Sequence, residues 1–362
     1  MRGWYNWVFI AVSILALSYV VKFPAILYSS EEKVTIHHDS EKTNSVLEQS
    51  SVRVDEKYLV KSHLEPINFT SNSPFYDDNG LVTITRKGFL LKKPTAQATV
   101  LVCHGFMCDK FDSAFLRMIF PMCCNVMTFD FRAHGENVSE HQYCTFGRDE
   151  ANDVIAAVNY LKSRPDIGHL PIVAFGFSMG AVAAIQAQAA YPNLFKAMIL
   201  DCPYDHSKNV IKQGLENLKF SFFGYRFSLP GKQLLEQYAF HPYVQSFLKA
   251  VLKTVANMDA TATNTYIYPV SPMDSIKNVK VPCLFIHCIN DEKVPVSAAK
   301  NLFNGASGYK RLWLTLGRRH FDSFFYNPEK YVYKINRFIQ KVLDLSLADK
   351  AQQKIKEDAL IL

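Results

Sequence analysis

The chain has 362 residues, of which 49% are hydrophobic and 20% are charged, and this is enough apolar material for one sizeable core. Lysine and arginine exceed aspartate and glutamate by seven. The basic residues are scattered, however, and form no long run of the kind that a nucleic-acid-binding arm carries. The composition therefore argues against nucleic acid as a partner.

Residues 1–28 are predicted to form an N-terminal transmembrane anchor. Gly3 to Val21 is a stretch of nineteen residues without a charge, a length that spans the hydrocarbon core of a bilayer. Aromatic residues near both of its ends suit the two membrane interfaces, and a weak charge bias places the following domain outside the cytoplasm. The alternative is a signal peptide cleaved near Ala16-Leu17-Ser18, which would make the protein secreted or periplasmic.

The composition then changes twice along the chain. Residues 29–66 are polar, with few large apolar side chains, and are predicted to be a tether. Residues 67–343 are predicted to be the folded domain, and residues 344–362 a helical tail at the C-terminus.

Within this domain, short β-rich runs alternate with helical patterns. The predicted strands are Ala98 to Cys103, Asn125 to Asp130, Pro171 to Gly176, Ala197 to Cys202, Val281 to Cys288 and Arg311 to Thr315, and the clearest helices are Asp149 to Ser163 and Met179 to Ala190. The strands are rich in Val, Ile, Leu and Phe, as is typical of strands buried on both faces. An α/β fold follows, with a mostly parallel central sheet flanked by helices.

The alternation stops between about residues 204 and 273. Helical, aromatic-rich stretches such as Gly231 to Tyr238 and Tyr243 to Ala256 occupy this region. An insertion of this length in a sheet fold usually forms a lid or binding surface. A helical lid is therefore predicted, and its aromatic residues are candidates for lining an acyl path: Phe220, Phe222, Phe223, Tyr225 and Phe227.

A nucleophile motif follows the third of these predicted strands. Gly176 to Gly180 reads Gly-Phe-Ser-Met-Gly, between an apolar run and an alanine-rich helix. A serine on such a sharp strand-to-helix turn needs small residues around it, and the turn presents its hydroxyl above the sheet. Ser178 is therefore the predicted nucleophile.

The loop after the first predicted strand is expected to contribute to an oxyanion hole. It begins His104-Gly105-Phe106, where the glycine lets the backbone approach the substrate. The predicted donors are the backbone N–H groups of Phe106 and Met179. His104 itself is predicted to stabilise the turn.

The acid and the base are predicted to lie in later loops. Asp291 follows the strand that ends at Cys288, and His320 follows the next strand, so the chain order is Ser, Asp, His. His320 would take the serine proton while Asp291 orients the imidazole. Asp205 is the second choice for the acid. Asp130 and Arg132 are predicted to tie loops beneath the site.

Together these stretches resemble the α/β-hydrolase superfamily, in particular its serine-aminopeptidase-like and prolyl-oligopeptidase-like branch, which includes bile-acid acyltransferase-like and membrane-associated hydrolases. The stretches that carry the resemblance are Val102 to Phe106, Thr128 to Glu136, Gly176 to Gly180, Ser271 to Met273 and Asp291 to Pro295. The resemblance implies the α/β-hydrolase fold and a triad of Ser178, Asp291 and His320. The chain departs from the usual pattern at Cys288, where glycine is common, and at Arg318-Arg319 before the histidine.

The expected activity is hydrolysis of acyl esters or thioesters through an acyl-enzyme, with no metal or organic cofactor. The expected partners are a small acyl substrate and a membrane contacted through the N-terminal segment. A serine exopeptidase or small-peptide hydrolase is one alternative, because this fold serves many hydrolytic reactions. A non-catalytic membrane-tethered scaffold is another. The sequence leaves the physiological substrate and the oligomeric state open.

Overall fold

The computed structural model describes residues 63–77, 80–137, 143–217, 219–222, 225–228, 232–246, 265–266 and 268–360. The predicted anchor from Gly3 to Val21 lies outside these ranges, as does most of the predicted tether. Within the described ranges, no helix has both the length and the apolar character needed to cross a membrane.

An eight-stranded sheet forms the centre of the domain. Its strands are β1 (His63–Asp77), β2 (Gly80–Lys92), β3 (Ala98–Cys103), β4 (Cys124–Phe129), β5 (Ile172–Phe177), β6 (Ala197–Asp201), β9 (Cys283–Cys288) and β10 (Lys310–Thr315). Their spatial order is β1-β2-β4-β3-β5-β6-β9-β10. β2 runs antiparallel to both of its neighbours, and the pairs from β4 to β10 are all parallel. The predicted α/β-hydrolase fold is confirmed.

Helices cover both faces of this sheet. The α-helices of the described residues are α1 (Leu116–Ile119), α2 (Glu150–Ser163), α3 (Met179–Ala190), α4 (Ser207–Asn217), α5 (Lys232–Gln237), α6 (Pro272–Ser275), α7 (Val296–Gly305), α8 (Ser323–Tyr326) and α9 (Pro328–Leu360). Along β3, Leu101 packs in the layer that contains α2 and α3, whereas Val100 and Val102 pack in the layer that contains α1 and α9. Because both faces are covered, β3 is apolar along its whole length.

The antiparallel edge of the sheet was not predicted. β1 begins at His63, inside the stretch expected to be tether, and pairs with β2. Its inward side chains, such as Ile67 and Phe69, are buried, while the residues between them are exposed. An edge strand with one solvated face also tolerates Pro66. This half-polar pattern made the strand look like linker in the sequence.

The predicted lid is mixed and not purely helical. The hairpin β7 (Lys219–Phe222) and β8 (Tyr225–Ser228) lies between α4 and α5. The sequence predicted helical stretches on the C-terminal side of this segment and no strand within it, although alternating aromatics suit paired strands. The side chains of the hairpin are outside the described part of the structure, so the acyl-path assignment stays a prediction.

A buried ionic cluster ties the antiparallel edge to α2. The Asp153 carboxylate accepts hydrogen bonds from the Ser71 hydroxyl at 2.6 Å and from Arg132 at its backbone N, Nε and Nη2 atoms, at 2.9, 3.0 and 2.8 Å. The Arg86 guanidinium lies 4.0 Å away, and both side chains are fully buried. Asp153 therefore balances two buried arginines.

Replacing this carboxylate should destabilise the fold strongly. Asp153→Ala removes the carboxylate that lies against two buried guanidinium groups, so we expect the free energy of unfolding to fall by roughly 3–5 kcal/mol. The matched control is Asp166→Ala, which removes a carboxylate from an ion pair with Lys92 at a site 40% exposed and should cost at most about 1 kcal/mol. Urea unfolding of both variants measures the difference, and equal losses would contradict this account.

Candidate active site

Ser178 lies on a compressed turn between β5 and α3. A side chain at Gly176 would place its Cβ 2.6 Å from the Cα of Ala181, and one at Gly180 would collide with the carbonyl oxygen of Cys103. Ser178 itself has φ of 52° and ψ of −121°, a conformation that L-residues rarely adopt and that costs about 1–3 kcal/mol. The two glycines therefore make room for a strained turn that lifts the serine hydroxyl above the sheet.

The structure brings the three predicted triad residues together. The Oγ atom of Ser178 lies 2.8 Å from Nε2 of His320, and Nδ1 of His320 lies 2.7 Å from Oδ2 of Asp291. An ionised carboxylate can only accept, so Nδ1 carries the proton and Nε2 is free to accept one from the serine. This chain of hydrogen bonds has the polarity that general-base activation of a hydroxyl requires.

The surroundings of Asp291 keep it ionised. Burial alone would raise the pKa of this carboxyl, but the hydrogen bond and charge of His320, with the Val294 N–H, lower the pKa below its ordinary value. Oδ1 accepts from the backbone N–H groups of Lys293 and Val294 at 2.8 and 2.9 Å, which leaves Oδ2 for His320. The loop after β9 is thus shaped to hold one carboxylate in one orientation.

The two predicted oxyanion donors belong to the loop after β3 and to the start of α3. Met179 is the first residue of α3, and N–H groups of a first helical turn have no partner within the helix. Phe106 follows Gly105, where a Cβ would lie 2.8 Å from the ring of Phe177. The ring of Phe106 packs on Phe146 at a centroid distance of 4.7 Å. The loop is therefore fixed by aromatic packing while its backbone remains close to Ser178.

Two other histidines near the site have structural positions, as was predicted for His104. His104 accepts the Phe131 N–H at Nε2, 3.0 Å away, and its Nδ1–H donates to the Gly105 carbonyl at 2.8 Å. His134 donates to the Arg132 carbonyl at 2.8 Å. Burial lowers the pKa of His104 to about 3 and that of His134 to about 4, so both remain neutral.

The acidic residues beneath the site also anchor loops. Asp130 accepts the backbone N–H of Lys110 at 2.7 Å and pairs with its ammonium group at 2.6 Å, while Arg132 is held by Asp153. The prediction that Asp130 and Arg132 tie loops is confirmed. The alternative acid, Asp205, accepts instead from Asn209 and Asn301, each at 2.9 Å. Asp291, and not Asp205, is the partner of His320.

Sequence reasoning missed two residues that border the histidine. Phe321 stacks on Phe177 with ring centroids 4.1 Å apart and has a φ of 61°. Cys202 has a φ of 43°, and its sulfur lies 3.7 Å from Nε2 of His320. Neither belongs to a recognisable motif. The one available signal was position, since Cys202 ends the predicted strand that follows the nucleophile strand along the chain.

Asp201 is a second buried carboxyl close to the site. Its Oδ2 accepts from the Tyr331 hydroxyl of α9 at 2.7 Å. Burial raises the pKa of Asp201 to about 7, the charge of Asp291 adds to this shift, and the Tyr331 hydrogen bond opposes it. In an unfolded chain an aspartate loses its proton near pH ~3.9, so folding takes up a proton between that pH and about 7.

The uptake of this proton should make the free energy of unfolding depend on pH. The contribution of Asp201 to the free energy of unfolding is complete below about pH 4 and is lost as the pH rises to about 7, by at most about 1.4 kcal/mol per pH unit. Asp201→Asn keeps an acceptor for Tyr331 but does not titrate, so it should gain stability relative to the wild type across this range. Urea unfolding of the wild type and of Asp201→Asn at several pH values measures this difference. If the free energies of unfolding of the two proteins change in parallel with pH, the proposed proton uptake by Asp201 is refuted.

A comparison with known families matches residues 94–321 to the family described as "Serine aminopeptidase, S33". Among curated proteins, the chain is 25% identical over 261 residues to the uncharacterized protein YqkD of Bacillus subtilis, which covers 71% of this chain and 76% of YqkD.

Solved structures share the fold at low sequence identity. The esterase Pf2001 of Pyrococcus furiosus superposes with a TM-score of 0.55 at 20% identity, over 78% of this chain and 93% of that protein. Est1E of Butyrivibrio proteoclasticus, solved with bound ferulic acid, gives a TM-score of 0.50 at 17% identity, over 75% of this chain and 100% of that protein. At such identities the likeness is one of fold.

Proposed function

Because the chain belongs to the serine aminopeptidase S33 family of α/β-hydrolases, we propose that it hydrolyses acyl esters or thioesters through an acyl-enzyme formed on Ser178. The observation that carries the proposal is the continuous hydrogen-bond chain from the serine hydroxyl through His320 to Asp291. The esterase neighbour Pf2001, which shares the fold, is consistent with it.

The reaction follows from this geometry in two steps. Ser178 Oγ attacks the acyl carbon as its proton passes to Nε2 of His320, and Asp291 stabilises the resulting imidazolium. The carbonyl oxygen becomes an oxyanion that accepts hydrogen bonds from the Phe106 and Met179 N–H groups. His320 then protonates the leaving alcohol or thiol. Water repeats the sequence on the acyl-enzyme, which releases the acid and restores the serine.

A second candidate, an aminopeptidase, is favoured by the description of the family. An aminopeptidase must bind the positive α-amine of its substrate, usually with a carboxylate. Of the buried carboxyl groups that the described residues place beside the triad, Asp291 is engaged by His320 and Asp201 by Tyr331. In addition, Arg318 and Arg319 are exposed directly before His320, and their charge repels a cation. We therefore place neutral or anionic acyl substrates first.

The triad should behave as a unit. Ser178→Ala and His320→Ala should each reduce kcat by roughly 10⁴-fold or more, and the double variant should be little worse than either one, because each loss already removes the activated nucleophile. Steady-state kinetics on a chromogenic ester measure this, with circular dichroism to show that the variants are folded. Losses that multiply in the double variant would exclude a shared triad.

The same assay separates the two candidate acids. Asp291→Asn should lower kcat strongly, since the amide no longer fixes the correct histidine tautomer. Asp205→Asn is the matched control, because its carboxylate contacts two asparagines away from His320 and its loss should leave kcat within about threefold. A larger loss for the Asp205 variant would reassign the acid.

Substrate class can be tested with esters that differ in one group. We expect a butyryl ester to have a kcat/KM at least about tenfold higher than the 2-aminobutyryl ester with the same leaving group, since the added ammonium meets a basic rim; tenfold corresponds to about 1.4 kcal/mol. The identical leaving group removes the difference in intrinsic reactivity between esters and amides. A higher kcat/KM for the amino ester would favour the aminopeptidase. The Ser178→Ala variant measures the background hydrolysis of both esters.

A further inference from the structure

Cys202 is a buried thiol that faces the histidine of the site. Cys202 directly follows β6 and is fully buried. Its backbone N–H donates to the Ile286 carbonyl at 2.9 Å. Its Sγ lies 3.7 Å from Nε2 of His320. The proposed acyl-transfer chemistry does not use this sulfur, although it points at the atom that does the proton transfer.

The separation of these two atoms matches a metal chelate. Zinc binds histidine nitrogen at about 2.0–2.1 Å and cysteine sulfur at about 2.3 Å, so in tetrahedral geometry the two ligand atoms lie about 3.6 Å apart. We propose that Cys202 and His320 form an inhibitory binding site for a soft divalent cation such as Zn²⁺.

The neighbouring groups bear on such a site. Ser178 Oγ lies 2.8 Å from Nε2, and the His320 side chain is 14% exposed, which gives a cation access from solvent. Asp291 lies within 4.8 Å of both other groups, but it holds Nδ1 on the far side of the imidazole ring. It therefore acts as the carboxylate that orients a metal-bound histidine, and not as a ligand.

Binding would block the proposed reaction by a defined exchange of bonds. The Cys202 thiol releases its proton to solvent, the thiolate and the Nε2 lone pair each form a bond to the cation, and no oxidation takes place. Nε2 can then no longer accept the serine proton. The inhibition rests on the proposed hydrolase function, whereas the binding of the cation does not.

The protein contains a rival site for soft metals. All eight cysteines are free, and the sulfurs of Cys123 and Cys124 lie 3.9 Å apart. These residues are at the start of β4, at the opposite end of the parallel strands from Ser178. Cys123→Ser is therefore the matched control, because it removes a half-buried thiol far from the site and should leave the basal activity unchanged.

The test is a Zn²⁺ titration of ester hydrolysis by the full chain in metal-free buffer, with each variant normalised to its own activity without metal. We expect Cys202→Ser and Cys202→Ala to raise the inhibitory Zn²⁺ concentration at least about tenfold, since loss of even an outer-shell partner costs 10–100-fold in affinity. Cys123→Ser should match the wild type. Equal inhibition of the wild type and both Cys202 variants, or relief by Cys123→Ser, overturns the site.

Direct binding separates this proposal from the hydrolase function. Co²⁺ added to Cys123→Ser, alone or combined with Ser178→Ala, should produce a near-ultraviolet cobalt–thiolate band, which Cys202→Ala or His320→Ala added to the same variant should abolish. If no ester is hydrolysed but this band appears with the stated dependence, the metal site stands and the proposed function fails. Absence of the band in Cys123→Ser overturns the metal site.

Discussion

The backbone at Ser178 is held at a φ of 52° because the turn from β5 to α3 has no space to relax. Its N–H donates to the carbonyl of Asp201 at 2.9 Å, and the chain at Gly180 passes against the backbone of Cys103. The turn is thus clamped between the two neighbouring strands, β3 and β6. That clamp fixes the direction of the serine hydroxyl and the start of α3 together, so the proposed nucleophile and one proposed oxyanion donor share a single constraint.

The order of the strands explains which side chains meet that hydroxyl. β5, β6, β9 and β10 are consecutive neighbours in the sheet, and parallel strands bring their carboxyl ends to one edge. Ser178 follows β5, Asp291 lies in the loop after β9, and His320 lies after β10. The histidine must therefore reach back across the ends of β9 and β6 to contact the serine. Cys202, the first residue after β6, lies directly on that path, which is why its sulfur meets Nε2.

Features that depend on residues close together in the sequence could be predicted. The turn from Gly176 to Gly180 and the parallel strands are of this kind, and β3 and α3 were predicted with the bounds that the structure gives them. The partnership of Asp291 with His320 needed the chain order of the family. β1 was missed because its pairing with β2 and the burial of Ser71 against Asp153 are tertiary contacts that a polar composition conceals. The hairpin β7–β8 was missed because aromatic spacing alone does not separate strand from helix.

The positive φ at Cys202 is a second reason to expect a function for its side chain. Glycine would relieve the conformation at Ser178, Cys202 and Phe321, yet none of the three is glycine. Ser178 needs its hydroxyl, and Phe321 needs its ring, which stacks on Phe177 and holds the base loop. At Cys202 a strain of about 1–3 kcal/mol is accepted for a thiol beside the histidine, where a glycine would leave Nε2 with the serine alone. Among the described residues other than glycine, six have a positive φ, and these three border the proposed proton-transfer path; the others are Met107, Ala133 and Phe146.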